Sequence, residues 1–289
     1  GTFVVAINLV GLFSSLGSPS FIQRYGPLRT VQIAMLAMAL GLFIGGLGTI
    51  TTALIAAALF GIGNGVMGPV SSTILIERTP RGAVSFVFSL KQTGVPAGGM
   101  IAGAVVPALV LLTGWEHALW VCSVFFVLAA IAMQPLRRDY DRSRDRTTPL
   151  TMSRALAQMR DSIALTIAEP RLRRLAAIAF TYVAHQIALT TYAVTFLNVD
   201  LGYTLVVGGF VYAAMQVAGI LGRLTWGAIA DRMRRPQRLL GGLGVASSLC
   251  AMVLAFITPE WPLSAVVVLC VIFGATGVAL QTPAEARPR

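Results

Sequence analysis

The sequence predicts an all-α polytopic membrane protein with about nine transmembrane helices. The first sign is composition. The 289 residues are 56% hydrophobic and only 11% charged, with a mean hydropathy of +0.79, whereas soluble domains hold about 25% charged residues. So much apolar surface exceeds what a water-soluble core of this size can hide. The second sign is spacing. Apolar stretches of about 20 residues, the length that crosses a bilayer as a helix, recur at 2–22, 30–50, 52–76, 83–112, 117–136, 175–197, 204–229, 239–258 and 263–280.

The third sign is where the arginines fall. One set of connections carries Arg24 and Arg29, then Arg78 and Arg81, then ten arginines between 137 and 174. The same set goes on to Arg232, Arg234, Arg235 and Arg238, and to Arg287 and Arg289. These make 20. The intervening connections, near 51, 113–116, 198–203 and 259–262, hold no Lys or Arg. Such asymmetry is the positive-inside pattern, so the arginine-rich loops are expected in the cytoplasm. The pI of 10.7 then reflects topology, and no nucleic-acid partner is expected. Arginine outnumbers lysine 21 to 1, which suggests a GC-rich bacterial source and a multi-pass protein of the inner plasma membrane.

Cys122, Cys250 and Cys270 all lie in apolar spans without CxxC spacing, so neither a zinc site nor a disulfide framework is expected. Only His117 and His185 are available as histidine ligands. No metal, cofactor or catalytic residue is expected. No signal peptide is visible at the Gly-Thr-Phe start. With an odd number of spans, Gly1 falls outside and Arg289 inside. The expectation is a fragment with at least one span before Gly1.

Taken in order, spans one to five form an N-terminal bundle (1–136). Residues 137–174 form a cytoplasmic linker, and four further spans form a C-terminal bundle (175–289). Within the linker, Leu156, Met159, Ile163 and Ile167 recur at helical spacing. A surface helix is expected over Ser153–Ile167, capped by Ser153 and stopped by Pro170. Asp145–Pro149 is its flexible lead-in. A weak repeat at an offset of 208 overlays 3–30 on 211–238. It pairs Asn8 with Gln216, Gly11 with Gly219, Leu16 with Leu224 and Arg24 with Arg232. Parallel repeats of this kind occur in secondary transporters.

The segment Gly227-Ala-Ile-Ala-Asp231-Arg232-Met-Arg-Arg235 resembles the G-x-x-x-D-R-x-G-R-R signature of the major facilitator superfamily. It departs at Arg234, where the signature has Gly. The first copy, Ser20 to Arg29, keeps Arg24 and Gly26 but has Gln23 for the Asp and Pro19 for the leading Gly. Thr113-Gly-Trp115 is similar to the family's fifth-helix exit. The resemblance implies a two-bundle architecture, with these spans as helices two to ten of twelve. It also implies a gate latch of Asp231, Arg232, Arg235, Arg24 and Gly227 at the cytoplasmic ends. The antiporter motif of the family is not matched, because Val95 precedes Pro96 and Gly98 comes one residue early.

The polar groups at depth are the candidate solute ligands. Lys91 is the only lysine, and a cation at a helix centre costs roughly 3 kcal/mol or more. It lies roughly 12 Å from the cytoplasmic start of its span, at 1.5 Å per residue. Either it binds an anion, with Gln92 or Thr93 adding hydrogen bonds, or it snorkels to the interface. Arg223 lies at similar depth, eight residues before Asp231. The family arrangement would bring the two cations to one cavity as an anion clamp; otherwise Arg223 bonds carbonyls. His185 and Gln186 lie near mid-span, where an imidazole could relay a proton or bond between helices. Asn64 and Gln216 complete the set, with interhelical bonding as their duller role. No Asp or Glu lies well inside a span.

Two glycine patterns need explaining. Gly63-x-Gly65-x-x-Gly68 has the form of a dinucleotide fingerprint, but no strand precedes it, so close helix packing is expected. Gly94, Gly98, Gly99 and Gly103 form overlapping GxxxG spacings and are expected to do the same. The function that follows is a secondary active transporter of a small organic or inorganic anion, working by alternating access. Its partners are the solute, a proton as candidate coupling ion and the bilayer, and the protein is expected to be a monomer. A drug or sugar-like carrier is the alternative within the class. Outside it stand a membrane-embedded enzyme, which would need a Ser–His pair, paired aspartates or a metal cluster at depth, and a non-transporting fragment.

Overall fold

A computed structural model describes residues 2–80, 84–142, 144–145, 147, 150–233 and 236–277. All regular structure among them is helical. The helices are α1 (Thr2–Tyr25), α2 (Pro27–Gly45), α3 (Ile50–Arg78), α4 (Val84–Thr113), α5 (Trp115–Ala132), α6 (Arg137–Tyr140), α7 (Met152–Ala168), α8 (Pro170–Thr195), α9 (Leu205–Arg232), α10 (Pro236–Leu254) and α11 (Leu263–Gly277). A π-helical turn, Phe196–Asp200, closes α8. Among the described residues, seven helices are long and apolar enough to span a membrane, and Gly241–Leu254 and Leu263–Gly277 are shorter apolar helices. Large apolar side chains are widely exposed, Leu112 at 83% and Phe180 at 76% among them. In water such surface would be unstable; in hydrocarbon it is matched by the solvent.

The chain forms two compact units, Gly1–Thr79 with Val110–Leu175, and Pro80–Leu109 with Ala176–Arg289. The bundles expected from the linker are continuous in sequence. These units are not, because Gly99 and Gly103 of α4 lie against Gln216 and Gly209 of α9.

In the first unit, α1 packs along α3. Gly61 lies against the Ile7 carbonyl and Gly65 against that of Gly11, with no room for a Cβ at either. The contacts advance together along both helices, which therefore run parallel. Ser14 Oγ adds a bond to the Ile62 carbonyl at 2.7 Å. Helices α2 and α5 are joined by polar side chains on backbone. Gln32 Nε2 donates to the Ala130 carbonyl at 2.9 Å, Ser123 Oγ to Ala39 at 2.7 Å and Trp120 Nε1 to Phe43 at 3.1 Å. Partners ascend on α2 and descend on α5, so these helices are antiparallel. Each such bond contributes about 0.6 kcal/mol in a membrane. Ile22, Val31, Ala34, Val66 and Val70 form the apolar centre.

The expected surface helix is present as α7. Its N-cap is Thr151 and no side chain caps it, so Ser153 lies inside the helix. Gln158 turns toward α1, where Ser20 Oγ donates to its Oε1 at 2.8 Å. Pro170 does stand beyond the end of α7, but it opens α8 at once. A proline needs no N–H partner in a first turn, so α8 starts earlier than its apolar pattern suggested. Much of the Asp145–Pro149 lead-in lies outside the described residues.

In the second unit, α9 packs on α11, where Gly274 meets the Met215 carbonyl and Gly222 that of Ala275. Trp226 Nε1 donates to Ala275 at 2.9 Å. Under the offset of 208, the pair α1–α3 corresponds to α9–α11, and α2 and α10 both begin on proline. The repeat thus extends from residues to helix pairing.

Candidate functional site

The α4–α9 contact is set by small residues. Gly103 lies against the Gly209 carbonyl, where an added Cβ would stand at 2.8 Å, and Gly99 lies against the Gln216 side chain. Gly94 and Gly98 face open space, so half of that glycine pattern serves packing here. Gly63 and Gly65 are likewise packing residues, while Gly68 has nothing near it.

Close approach brings Arg223, 5% exposed, onto the backbone of α4, where its Nη1 donates to the Gln92 carbonyl. Lys91 is the preceding residue, half-buried, with its Nζ 5.7 Å from the centre of the Phe88 ring. Arg223 is thus brought onto the backbone of Gln92, the residue that follows Lys91 in sequence. Gln216 sits two turns earlier on α9, 2% exposed, with its Oε1 lacking a hydrogen bond among the described residues.

His185 occupies a different place. Its Nε2 is 2.7 Å from Ser247 Oγ of α10, and its ring meets Phe273 of α11 edge-on at 5.4 Å. Ser247 is 62 residues from His185 in sequence, so the pairing exists only where α8 meets α10. The pair has the reach of a nucleophile and base, but Ser247 is 1% exposed. No acidic side chain bonds the imidazole among the described residues. The geometry is that of an interhelical bond.

His185 also borders a cavity of about 330 Å³, walled by α8, α9, α10 and α11. Tyr192, Tyr212, Met215, Cys270 and Phe273 line it, and its surface is almost wholly apolar. Gln186, one residue on, is 9% exposed. Asn64 is exposed on α3 of the other unit, as is Asn8 on α1, whose Nδ2 bonds the Val4 carbonyl at 2.8 Å.

Of the latch residues, Arg235 lies outside the described residues, and only the backbone of Asp231 is described. Arg232 is exposed and ends α9; Gly227 is half-buried one turn earlier. At the corresponding end of α1, Arg24 is half-buried and Gly26 has φ 89°. There the structure shows what the sequence did not. Asp141, 4% exposed, caps α2 from 113 residues away. It accepts from Leu28 N–H at 2.8 Å and Arg29 N–H at 3.2 Å and pairs with Arg137 at 3.2 Å. An added Cβ at Gly26 would stand 2.5 Å from Asp141 Cγ, so this glycine is needed for both its φ and its space. Arg78 at the end of α3 joins the cluster by bonding the Asp139 carbonyl and covering the Tyr140 ring at 4.9 Å.

No curated protein matches the chain. The model of the Major Facilitator Superfamily matches residues 1–286. With the helical fold, the apolar spans and the paired loop signatures in place, the chain belongs to this superfamily and is a multi-pass membrane transporter of the major facilitator class.

Proposed function

We propose that the protein is a secondary active transporter that moves a small organic anion by alternating access. The observation that carries this reading is the convergence of Arg223 on the residue next to Lys91. These two cations stand within spans that contain no carboxylate. A carboxylate solute would be held by both side chains, with Arg223 as the rigid donor and Lys91 as the mobile one. The apolar cavity beside His185 is a second polar-poor space in the same unit, and in a proton-coupled cycle His185 is the candidate proton relay. The arginine-rich loops face the cytoplasm by the positive-inside rule.

The test is uptake by the full-length protein in proteoliposomes, with a panel of organic anions and neutral solutes. Lys91→Ala is expected to raise the half-saturation concentration for the anion roughly 10-fold or more, the worth of one charged hydrogen bond. Lys91→Arg retains most of the affinity. Unaltered transport in both variants removes Lys91 from the site. A second reading, a neutral apolar solute, is favoured by the nearly apolar lining of the cavity. It predicts uptake of a neutral aromatic compound that is insensitive to Lys91→Ala and sensitive to enlarging Ala251 to Phe.

A further inference from the structure

A wide cleft of about 900 Å³ opens where α5 turns into α6 in the first unit. Gln134, Arg137, Arg138, Asp141, Arg142 and Arg144 line it. Four guanidinium groups thus share one cleft with a single carboxylate. That carboxylate caps the N-terminus of α2 and pairs with Arg137, itself in the wall of the cleft. Asp139 pairs with Arg142, but both side chains are well exposed, at 62% and 78%. Among the described residues, neither Arg138 nor Arg144 enters an ion pair. With Arg138 and Arg144 outside these pairs, the cleft keeps a surplus of positive charge and is open to a phosphate-sized anion, which guanidinium forks bind in bidentate fashion.

The apolar surface next to the cleft favours a lipid as the source of the anion. Phe125, Leu128 and Ile131 are 70%, 58% and 62% exposed on α5, on one side of the helix at near three-residue spacing. Leu136, 51% exposed, continues this strip to the edge of the cleft. From Phe125 to the turn is roughly 12 Å of helix at 1.5 Å per residue, close to the depth of one leaflet. A soluble phosphate would use the cleft alone. A lipid would use the cleft and the strip together.

We propose that this cleft binds the phosphate of an anionic phospholipid whose acyl chains lie along α5. The test is native mass spectrometry of the full-length protein with dioleoyl phosphatidylglycerol and dioleoyl phosphatidylcholine, which differ only in the headgroup. The protein is expected to retain the phosphatidylglycerol preferentially. The triple variant Arg138→Gln, Arg142→Gln, Arg144→Gln is expected to lose affinity for it on the order of 100-fold, from three surface cations. A control that replaces Arg171, Arg173 and Arg174 with Gln, all exposed at the start of α8, keeps the preference.

Equal retention of the two lipids by the unmodified protein overturns the proposal without any variant being made. So does a control variant that loses the lipid as completely as the triple variant. Displacement of the phosphatidylglycerol by millimolar glycerol phosphate assigns the cleft to a soluble anion instead. None of these outcomes depends on which solute is transported.

Discussion

Replacing Asp141 with Ala tests whether one buried carboxylate holds the arginine-bearing end of the first unit together. Its side chain is 2% exposed and that of Arg137 is 30% exposed. Removing the carboxylate strips two N–H groups at the start of α2 of their acceptor. Loss of a helix cap costs about 1 kcal/mol. Breaking a buried ion pair costs about 3–5 kcal/mol, and the partial exposure of Arg137 puts this pair well below that range. The sum is about 3 kcal/mol. Asp141→Asn keeps an acceptor oxygen and loses the charge, and should cost about 1 kcal/mol. The assay is thermal unfolding in detergent, followed by tryptophan fluorescence; Trp115 and Trp120 of α5 report on this unit. At roughly 2–4 °C per kcal/mol for a unit of this size, the Ala variant should melt about 6–12 °C lower and the Asn variant about 2–4 °C lower. An Ala variant that melts with the parent refutes the cap, and an Asn variant as damaged as Ala refutes the acceptor role.

Gly26→Ala forces a side chain into φ 89°, at roughly 1–2 kcal/mol, and pushes a methyl group against Asp141. Its melting point should fall by several degrees, and by less when Asp141 is already Ala, because the steric part vanishes. Ser247→Ala leaves the His185 Nε2 beside Phe273 without its hydroxyl partner. A loss of roughly 1–3 kcal/mol is expected, read in the same melt, and an unchanged melt would show that the His185–Ser247 bond contributes nothing.

Several features were readable from the residues alone because their causes are local. Each span is a run of apolar residues long enough to cross hydrocarbon, so its existence depends on no other segment. The same holds for α7, whose apolar residues recur at helical spacing within 17 residues. Lys91 and Arg223 stood out because charge inside an apolar run is visible in one dimension. Asp141 did not. It sits among arginines and aspartates in a connector where every charge looks alike, and its role depends on α2 arriving from far away in sequence. Ser247 was hidden for the same reason, as an ordinary small polar residue in an apolar helix. Asn64, Gln92 and Gln216 were all candidate solute ligands by sequence. Helix rotation separates them, leaving Asn64 exposed, burying Gln216 against Gly99 and making Gln92 a backbone acceptor.

Helix content, the number of apolar runs and the one-sided arginine loops follow from amino-acid order, because transfer into lipid is counted residue by residue along a single segment. Which polar groups meet is a matter of rotation and close approach between segments. The glycines that let α4 touch α9, the cavity beside His185 and the capping of α2 by Asp141 all come from packing. No stretch of the chain read in isolation contains that information, since each contact joins residues that only the folded bundle makes neighbours.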